Sequence, residues 1–175
     1  MPFDLIVSTC TMSSSGPHLN EILKGVSWLL GKWKSENGHG SYPTLNDFKY
    51  GEEIEFTHVG QPNLQFSCYS WHLETKKPLH RELGFVRVQP NTNKVALIIA
   101  QNLGVCELEE GEVNGQEMTT ISHTLGRLTF GKDPATKVIK RTFRREGDTL
   151  QQLVEMETDK TPMTEHLRIT YQKID

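Results

Sequence analysis

The feature of this sequence that most restricts its fold is a series of short β-prone segments, separated by turn sequences about every ten residues. Turns are indicated by Gly60-Gln61-Pro62-Asn63, by Asn114-Gly115 and by Glu146-Gly147-Asp148. Between such turns almost no stretch has the apolar spacing of a helix, which predicts antiparallel strands rather than alternating strands and helices. The predicted strands are 28–35, 50–59, 64–73, 81–88, 95–101, 104–110, 116–123, 128–130, 138–145, 149–158 and 166–173.

These segments predict one all-β domain. About ten short strands in 175 residues form either a sandwich or a closed barrel. Because several turns are tight, strands adjacent in sequence are expected to pair, which favours an antiparallel up-and-down barrel. The Gly-x-Trp segment described below points to a barrel of the calycin or lipocalin type. Pro17 and the apolar residues that follow it predict a short helix over 17–24, packed on one end of the barrel. Residues 1–16 are rich in serine and threonine and are expected to form a flexible tail, which leaves 17–175 as the barrel domain.

Charge and cysteine content argue against several classes of function. The net charge is −3 and acidic and basic residues are mixed, which is not the pattern of a nucleic-acid-binding surface. The densest basic stretch, 137–145, alternates with apolar residues and is predicted to be the solvent-exposed face of a strand. Cys10, Cys68 and Cys106 are too far apart for a disulfide framework or a zinc motif, and they favour a reducing compartment, cytoplasmic or nuclear. The longest apolar run, 95–100, is too short to span a bilayer, and residues 1–10 lack a secretory signal, so no membrane partner is expected.

Familiar catalytic patterns are absent from the sequence. It contains no Gly-x-Ser-x-Gly, no His-Glu-x-x-His and no P-loop. The seven histidines fall mostly on different predicted strands or turns, so a bare metal site is not predicted. Gly31-Lys32-Trp33 opens the first strand with the pattern by which calycin barrels close one end, although Trp33 would also serve as an ordinary core residue.

Several separated segments, taken together and in this order, resemble the nitrobindin family of haem-binding barrels with a fatty-acid-binding-protein-like fold. The resemblance covers about 17–173 and is closest to the animal form, which can follow a zinc-binding THAP domain that these 175 residues do not contain. One departure is Ser35, which stands where the family has the first glycine after the tryptophan; the later glycines are displaced to Gly38 and Gly40. The matching segments are Gly31-Lys32-Trp33, 38–45, 48–53, 77–82, 100–105, 109–111 and 162–167.

The resemblance implies a haem b site and an activity. His166 matches the proximal ligand of the haem iron, and no catalytic residue is implied beyond the iron itself. Nitrobindins bind nitric oxide and, with ferric haem, isomerise peroxynitrite to nitrate, and a homodimer is compatible with the resemblance. The remaining implied site residues are Thr44, close to the haem, and Leu79, His80, Gln101 and Met156, which match positions lining the pocket.

Other interpretations of the same residues stay open. Met156 would serve equally as core, His80 as a hydrogen-bonded residue at a strand start, and Gln101 as a hairpin cap. The barrel could carry a fatty acid or another apolar ligand without turnover. It could also be a regulatory module that reports haem or nitric oxide to a partner.

Strand alternation conflicts with an inward His166. In the last predicted strand Leu167 and Ile169 share one face, and His166 and Arg168 share the other. Simple patterning turns the apolar set into the barrel and His166 outward. A partly polar interior, or a β-bulge near His166, would remove the conflict.

Overall fold

Ten antiparallel strands close into one barrel in the computed structural model, which describes residues 16–131 and 133–175. Every strand pairs with its neighbours in sequence, and β1 pairs with β10 to complete the circle. This confirms the predicted all-β, ten-stranded up-and-down barrel. The strands are β1 Gly31–Tyr42, β2 Leu45–Thr57, β3 Asn63–His72, β4 Pro78–Val88, β5 Lys94–Gln101, β6 Val105–Asn114, β7 Glu117–Arg127, β8 Thr136–Glu146, β9 Thr149–Thr158 and β10 Thr164–Lys173.

The helix lies later in the chain than the sequence predicted. It is a 3₁₀ helix, Glu21–Leu29, and it begins after Asn20, whose side chain accepts a hydrogen bond from the Ile22 amide at 3.2 Å. It therefore includes residue 28, which was wrongly predicted to start a strand. Gly31 ends the helical region with a φ of 113°, a conformation that glycine adopts readily, and β1 starts there.

Two further predictions have a defined outcome in the structure. The segment 128–130 is not a strand, because the Leu128 amide bonds to the Gly104 carbonyl and the Gly131 amide bonds back to the Leu128 carbonyl. Residues 1–15 of the predicted tail lie outside the described residues. No helix within the described ranges has the length and apolar character that a bilayer crossing needs.

The helix closes one end of the barrel, which we call the base. Leu23, Val26 and Leu29 are buried against the strands, and Trp33 is fully buried above them. The Trp33 indole donates from Nε1 to the Leu29 carbonyl at 2.8 Å, and the Arg145 guanidinium lies 5.5 Å from the centre of its ring. The Gly-x-Trp segment therefore fills the base as the sequence predicted.

The opposite end of the barrel, which we call the far end, is built from the turns that the helix does not cover. These turns join β1 to β2, β3 to β4, β5 to β6, β7 to β8 and β9 to β10. Apolar side chains are exposed there, with Leu103 exposed by 61% and Phe130 by 81%. The apolar core occupies the half near the base, and the interior becomes polar towards the far end.

Candidate functional site

All six residues that the sequence assigned to a site lie at the far end. Antiparallel strands alternate in direction, so the start of one strand lies beside the end of the next, and distant parts of the chain meet there. Each of the six lies in a turn or within three residues of a strand end. They are Thr44 in the β1–β2 turn, Leu79 and His80 at the start of β4, Gln101 at the end of β5, Met156 near the end of β9 and His166 near the start of β10.

His166 is half-buried, with one ring nitrogen already engaged. Its Nδ1 lies 3.1 Å from the carbonyl oxygen of Ser41 on the neighbouring strand β1. A carbonyl can only accept a hydrogen bond, so the ring hydrogen lies on Nδ1 and the lone pair lies on Nε2. Burial lowers the pKa of His166, and this outweighs the opposing effect of the bond to Ser41. The imidazole is therefore neutral near pH 7, and its Nε2 is available to a metal.

A β-bulge at His166 removes the conflict found in the sequence. On strand β9, Glu155 pairs with Glu165 and the next residue, Val154, pairs with Leu167, so His166 is an extra residue on β10. The alternation is interrupted at this point. Ile169 and Tyr171 further along the strand are buried, and His166 is not forced outward with Arg168, which is exposed.

Two aromatic rings, those of Tyr42 and Phe48, pack near His166, and Gly40 on β1 leaves room for the Phe48 ring. Phe48 pairs with Gly40 across β1 and β2, and a Cβ on Gly40 would collide with the Phe48 ring. The ring of Phe48 lies 6.5 Å from that of His166, and the ring of Tyr42 lies 5.2 Å from it. The Tyr42 hydroxyl donates to the Met156 carbonyl at 3.0 Å, which connects this wall to β9. The register of β1 shifts between Ser35 and Gly38, in the segment where the sequence departs from the family pattern.

The predicted pocket residues differ in exposure and in their contacts. Leu79 is exposed by 38% and lies in a stretch of β4 where the register with β3 is irregular. Thr44 is exposed in its turn, and Met156 is half-buried, with its sulfur accepting a hydrogen bond from the Thr136 hydroxyl at 3.6 Å. His80 and Gln101 point instead to buried carboxylates: Nε2 of His80 lies 3.1 Å from Glu82, and Nε2 of Gln101 donates to Glu107 at 2.9 Å.

Those carboxylates belong to an ion cluster inside the barrel, which we call the Arg141 cluster: Arg141, Glu82, Glu107 and Glu109. All four side chains are buried. The guanidinium of Arg141 holds both oxygens of Glu82, at 3.1 and 3.2 Å, and reaches Glu107 at 3.2 Å and Glu109 at 3.3 Å. The prediction that the basic stretch 137–145 is a solvent-exposed face is therefore wrong for Arg141, whose inward position is stabilised by these three carboxylates.

The carboxylates of the cluster differ in ionisation. Burial alone would raise the pKa of Glu82, but Arg141 and His80 together lower it to about 2, so Glu82 is ionised. Burial raises the pKa of Glu107 to about 7, despite the nearby guanidinium. Its Oε2 is buried without a hydrogen-bond partner among the described residues. The Arg141 guanidinium therefore outweighs the effect of burial on the pKa of Glu82 but not on the pKa of Glu107.

A second buried polar group lies next to the cluster. The Tyr171 hydroxyl contacts both Glu52 and Gln152, and burial raises the pKa of Glu52 to about 7. Sequence reasoning missed all of these polar residues. A weak indication was present in β6, where Glu107 and Glu109 occupy the same alternating positions as the buried Val113.

The donors at the far end fit a haem better than a bare ion. A bare transition metal needs three or four protein ligands, and no such group of His, Cys, Asp or Glu occurs within 16–131 and 133–175. A single neutral histidine, with its second nitrogen fixed by a carbonyl, is what an iron requires when a macrocycle supplies its other ligands.

Two surface depressions, of about 350 and 510 Å³, lie near the β6–β7 and β4–β5 turns at the base, and none of the six predicted residues lines them.

Comparisons with known proteins agree with this fit. The family model described as "THAP4-like, heme-binding beta-barrel domain" matches residues 22–173. The rat protein "Peroxynitrite isomerase THAP4" is 52% identical over 164 residues, which are 93% of this chain and 29% of that protein. The Arabidopsis thaliana protein "Peroxynitrite isomerase Rv2717c" is 34% identical over 90% of this chain and 92% of its own length. This chain thus spans less than a third of the animal relatives that it matches.

A solved structure shows the same fold. The crystal structure of Rv2717c from M. tuberculosis superimposes with a TM-score of 0.82 at 30% identity, covering 90% of this chain and all of that one. The family match identifies haem as the cofactor. Because the family model spans most of the described barrel and the Arabidopsis relative aligns over nearly its whole length, this chain belongs to the family of THAP4-like haem-binding β-barrel domains, the nitrobindin family that its sequence resembles.

Proposed function

We propose that this chain binds haem b through Nε2 of His166 and isomerises peroxynitrite to nitrate, and that it also binds nitric oxide. The observation that carries the proposal is the bond between Nδ1 of His166 and the Ser41 carbonyl, which leaves Nε2 as the free, unprotonated nitrogen. Relatives over this region carry the name peroxynitrite isomerase, which supports the same reaction. When bound, the haem supplies the ferric iron at which the isomerisation occurs.

In this proposal the protein residues bind the haem, orient the His166 ring and limit access of water to the cofactor. His166 holds the cofactor, Ser41 fixes the direction of its ring, and Tyr42 and Phe48 pack against the ring so that it cannot rotate freely. Leu79, Met156 and Thr44 are proposed to border the cofactor at the far end, where their mainly apolar surface limits access of water. No side chain is assigned as a general acid or base in this proposal.

The test is substitution of the proposed ligand. His166→Ala should remove the Soret band that appears when haemin is added to the wild-type protein, and should remove haem-dependent decay of peroxynitrite. The barrel should remain folded, as judged by circular dichroism. His123→Ala is the matched control, because His123 is an exposed histidine on β7 that contacts Glu110 on the outer wall. An unchanged Soret band in His166→Ala would refute the ligand assignment.

The alternative of a fatty-acid carrier is favoured by one observation, the exposed apolar side chains at the far end. The interior argues against it. An acyl chain that entered the barrel would meet the Arg141 cluster, and a fatty-acid carboxylate would find Arg141 already surrounded by three carboxylates. Native mass spectrometry of the purified protein distinguishes the two, since a carrier would retain lipid and show no haem affinity.

A second copy of this chain is the macromolecular partner that we propose. Apolar side chains on the outer wall of β4, β5 and β6 are adjacent in the sheet, because Phe85 pairs with Ile98 and Ile98 pairs with Leu108. These three side chains are exposed by 39–46%. Sedimentation velocity of the wild type and of Phe85→Glu tests the homodimer, which the substitution should dissociate.

No role in binding nucleic acid or a membrane is proposed, and a cytoplasmic or nuclear location remains a prediction.

A further inference from the structure

Two histidines at the far end form hydrogen bonds through different ring nitrogens. His166 uses Nδ1 on the Ser41 carbonyl, whereas His80 uses Nε2 on the Glu82 carboxylate. Nδ1 of His80 has no hydrogen-bond partner among the residues that the structure describes. Both residues lie at the far end, His80 two residues after the start of β4 and His166 two residues after the start of β10. His80 is therefore a second imidazole next to the proposed haem site, with one nitrogen free.

The partner of His80 is held firmly and is ionised. Glu82 lies two residues further along β4, and its two oxygens are bound by the two terminal nitrogens of Arg141. The thiol of Cys68 lies 3.9 Å from Oε2 of Glu82, and Oε1 serves both Arg141 and His80. A buried carboxylate with these contacts cannot rotate without breaking several charged hydrogen bonds.

The ionised state of Glu82 determines which ring nitrogen of His80 carries the hydrogen. The pKa of Glu82 is lowered to about 2, so at neutral pH this carboxylate only accepts hydrogen bonds. The hydrogen between the two groups must then belong to Nε2 of His80. In the neutral imidazole this leaves the lone pair on Nδ1, so that the free nitrogen is a hydrogen-bond acceptor.

We propose that Glu82 is a positioning residue for the haem pocket: it fixes the ring orientation and tautomer of His80, so that Nδ1 faces the pocket as a hydrogen-bond acceptor. The inference rests on the proposed haem site. It assigns a ligand preference to the pocket, because an acceptor favours ligands that carry a hydrogen, such as water, over anions that can only accept, such as fluoride. In this proposal the Arg141 cluster holds Glu82 in place, and Glu82 in turn orients His80 at the haem pocket.

The first measurement needs no haem. In the haem-free protein, long-range ¹H–¹⁵N NMR spectra report which nitrogen of each histidine carries the hydrogen. The wild type should show the Nε2–H form for His80, and Glu82→Gln should show a mixture of tautomers, because a neutral amide can turn either its oxygen or its NH₂ group towards the ring. Glu109→Gln is the matched control, since it also removes one carboxylate from Arg141 but does not contact His80. An Nδ1–H form of His80 in the wild type would overturn the proposal even if Glu82→Gln failed to fold.

The second measurement uses ferric, haem-loaded protein titrated with fluoride. Release of Nδ1 to act as a donor in Glu82→Gln should tighten fluoride binding by about fivefold, the effect of one hydrogen bond, with no change in Glu109→Gln. Equal fluoride affinities in the wild type and Glu82→Gln, or equal changes in both variants, would refute the positioning role. Failure of the wild type to bind haem would refute the proposed function, while the NMR result would still decide the tautomer.

Discussion

Replacing Glu107 with glutamine should stabilise the protein at alkaline pH, although Glu107 touches the only cation of its cluster. Oε1 of Glu107 accepts hydrogen bonds from Arg141 and Gln101, and its Oε2 is buried without a partner in the described part of the chain. Burial raises the pKa of Glu107 from 4.5 to about 7. The unfolded chain therefore loses this proton near pH 4.5, while the folded protein keeps it until about pH 7.

The sign and size of the effect follow from this difference. The stability that protonated Glu107 contributes is complete below about pH 4.5 and is lost as the pH rises through about 7. At about 1.4 kcal/mol for each pKa unit, the loss is roughly 3 kcal/mol. Glutamine keeps the oxygen that serves Arg141 and Gln101 and never ionises. Glu107→Gln should thus match the wild type near pH 4.5 and exceed it by up to about 3 kcal/mol at pH 8.

Urea unfolding of the haem-free protein, followed by tryptophan fluorescence between pH 4.5 and 8, measures the difference directly. Glu117→Gln is the matched control, because Glu117 is an exposed carboxylate paired with Arg144, and its removal should change stability little at any of these pH values. A Glu107→Gln protein that is no more stable than the wild type at pH 8, or a difference that is constant with pH, would refute this account of the buried carboxylate.

Two further substitutions test other parts of the structure. Gly40→Val would drive a side chain into the Phe48 ring beside the proposed haem ligand, and should cost about 1–3 kcal/mol of unfolding free energy and weaken haem binding in a haemin titration; Gly126→Ala, whose new Cβ would have its nearest neighbour at 3.8 Å, should be nearly neutral. Arg141→Met would leave three buried carboxylates without a cation and should cost about 3–5 kcal/mol at pH 8, and less at pH 5, in the same urea experiment. A loss below about 1 kcal/mol at pH 8 would contradict the role given to the cluster.

The barrel could be predicted from the sequence because its determinants are local. Tight turns such as Asn114-Gly115 specify antiparallel neighbours, and Trp33 marks the base through a short pattern near the first strand. The boundary between helix and first strand was predicted less well. The residues around Trp28 have both helical and strand character, and the actual boundary depends on the Asn20 cap and on the conformation of Gly31.

The interior of the site could not be predicted in the same way. The direction of His166 depends on a bulge, which is a property of the pairing with β9 and leaves no mark in the sequence of β10. The burial of Arg141 depends on Glu82, 59 residues earlier, and neither position looks buried by itself. Charged residues placed inside a barrel can be recognised only when their partners are known, because each is stable there only in the presence of the other.

The seam between β1 and β10 has a consequence during synthesis of the chain. His166 lies on the last strand, and that strand pairs with the first. Until it is made, β1 and β9 each present an unpaired edge, which invites association with other nascent chains. The growing polypeptide also lacks its proposed iron-binding imidazole throughout this interval, so uptake of the cofactor through His166 would have to follow synthesis of β10.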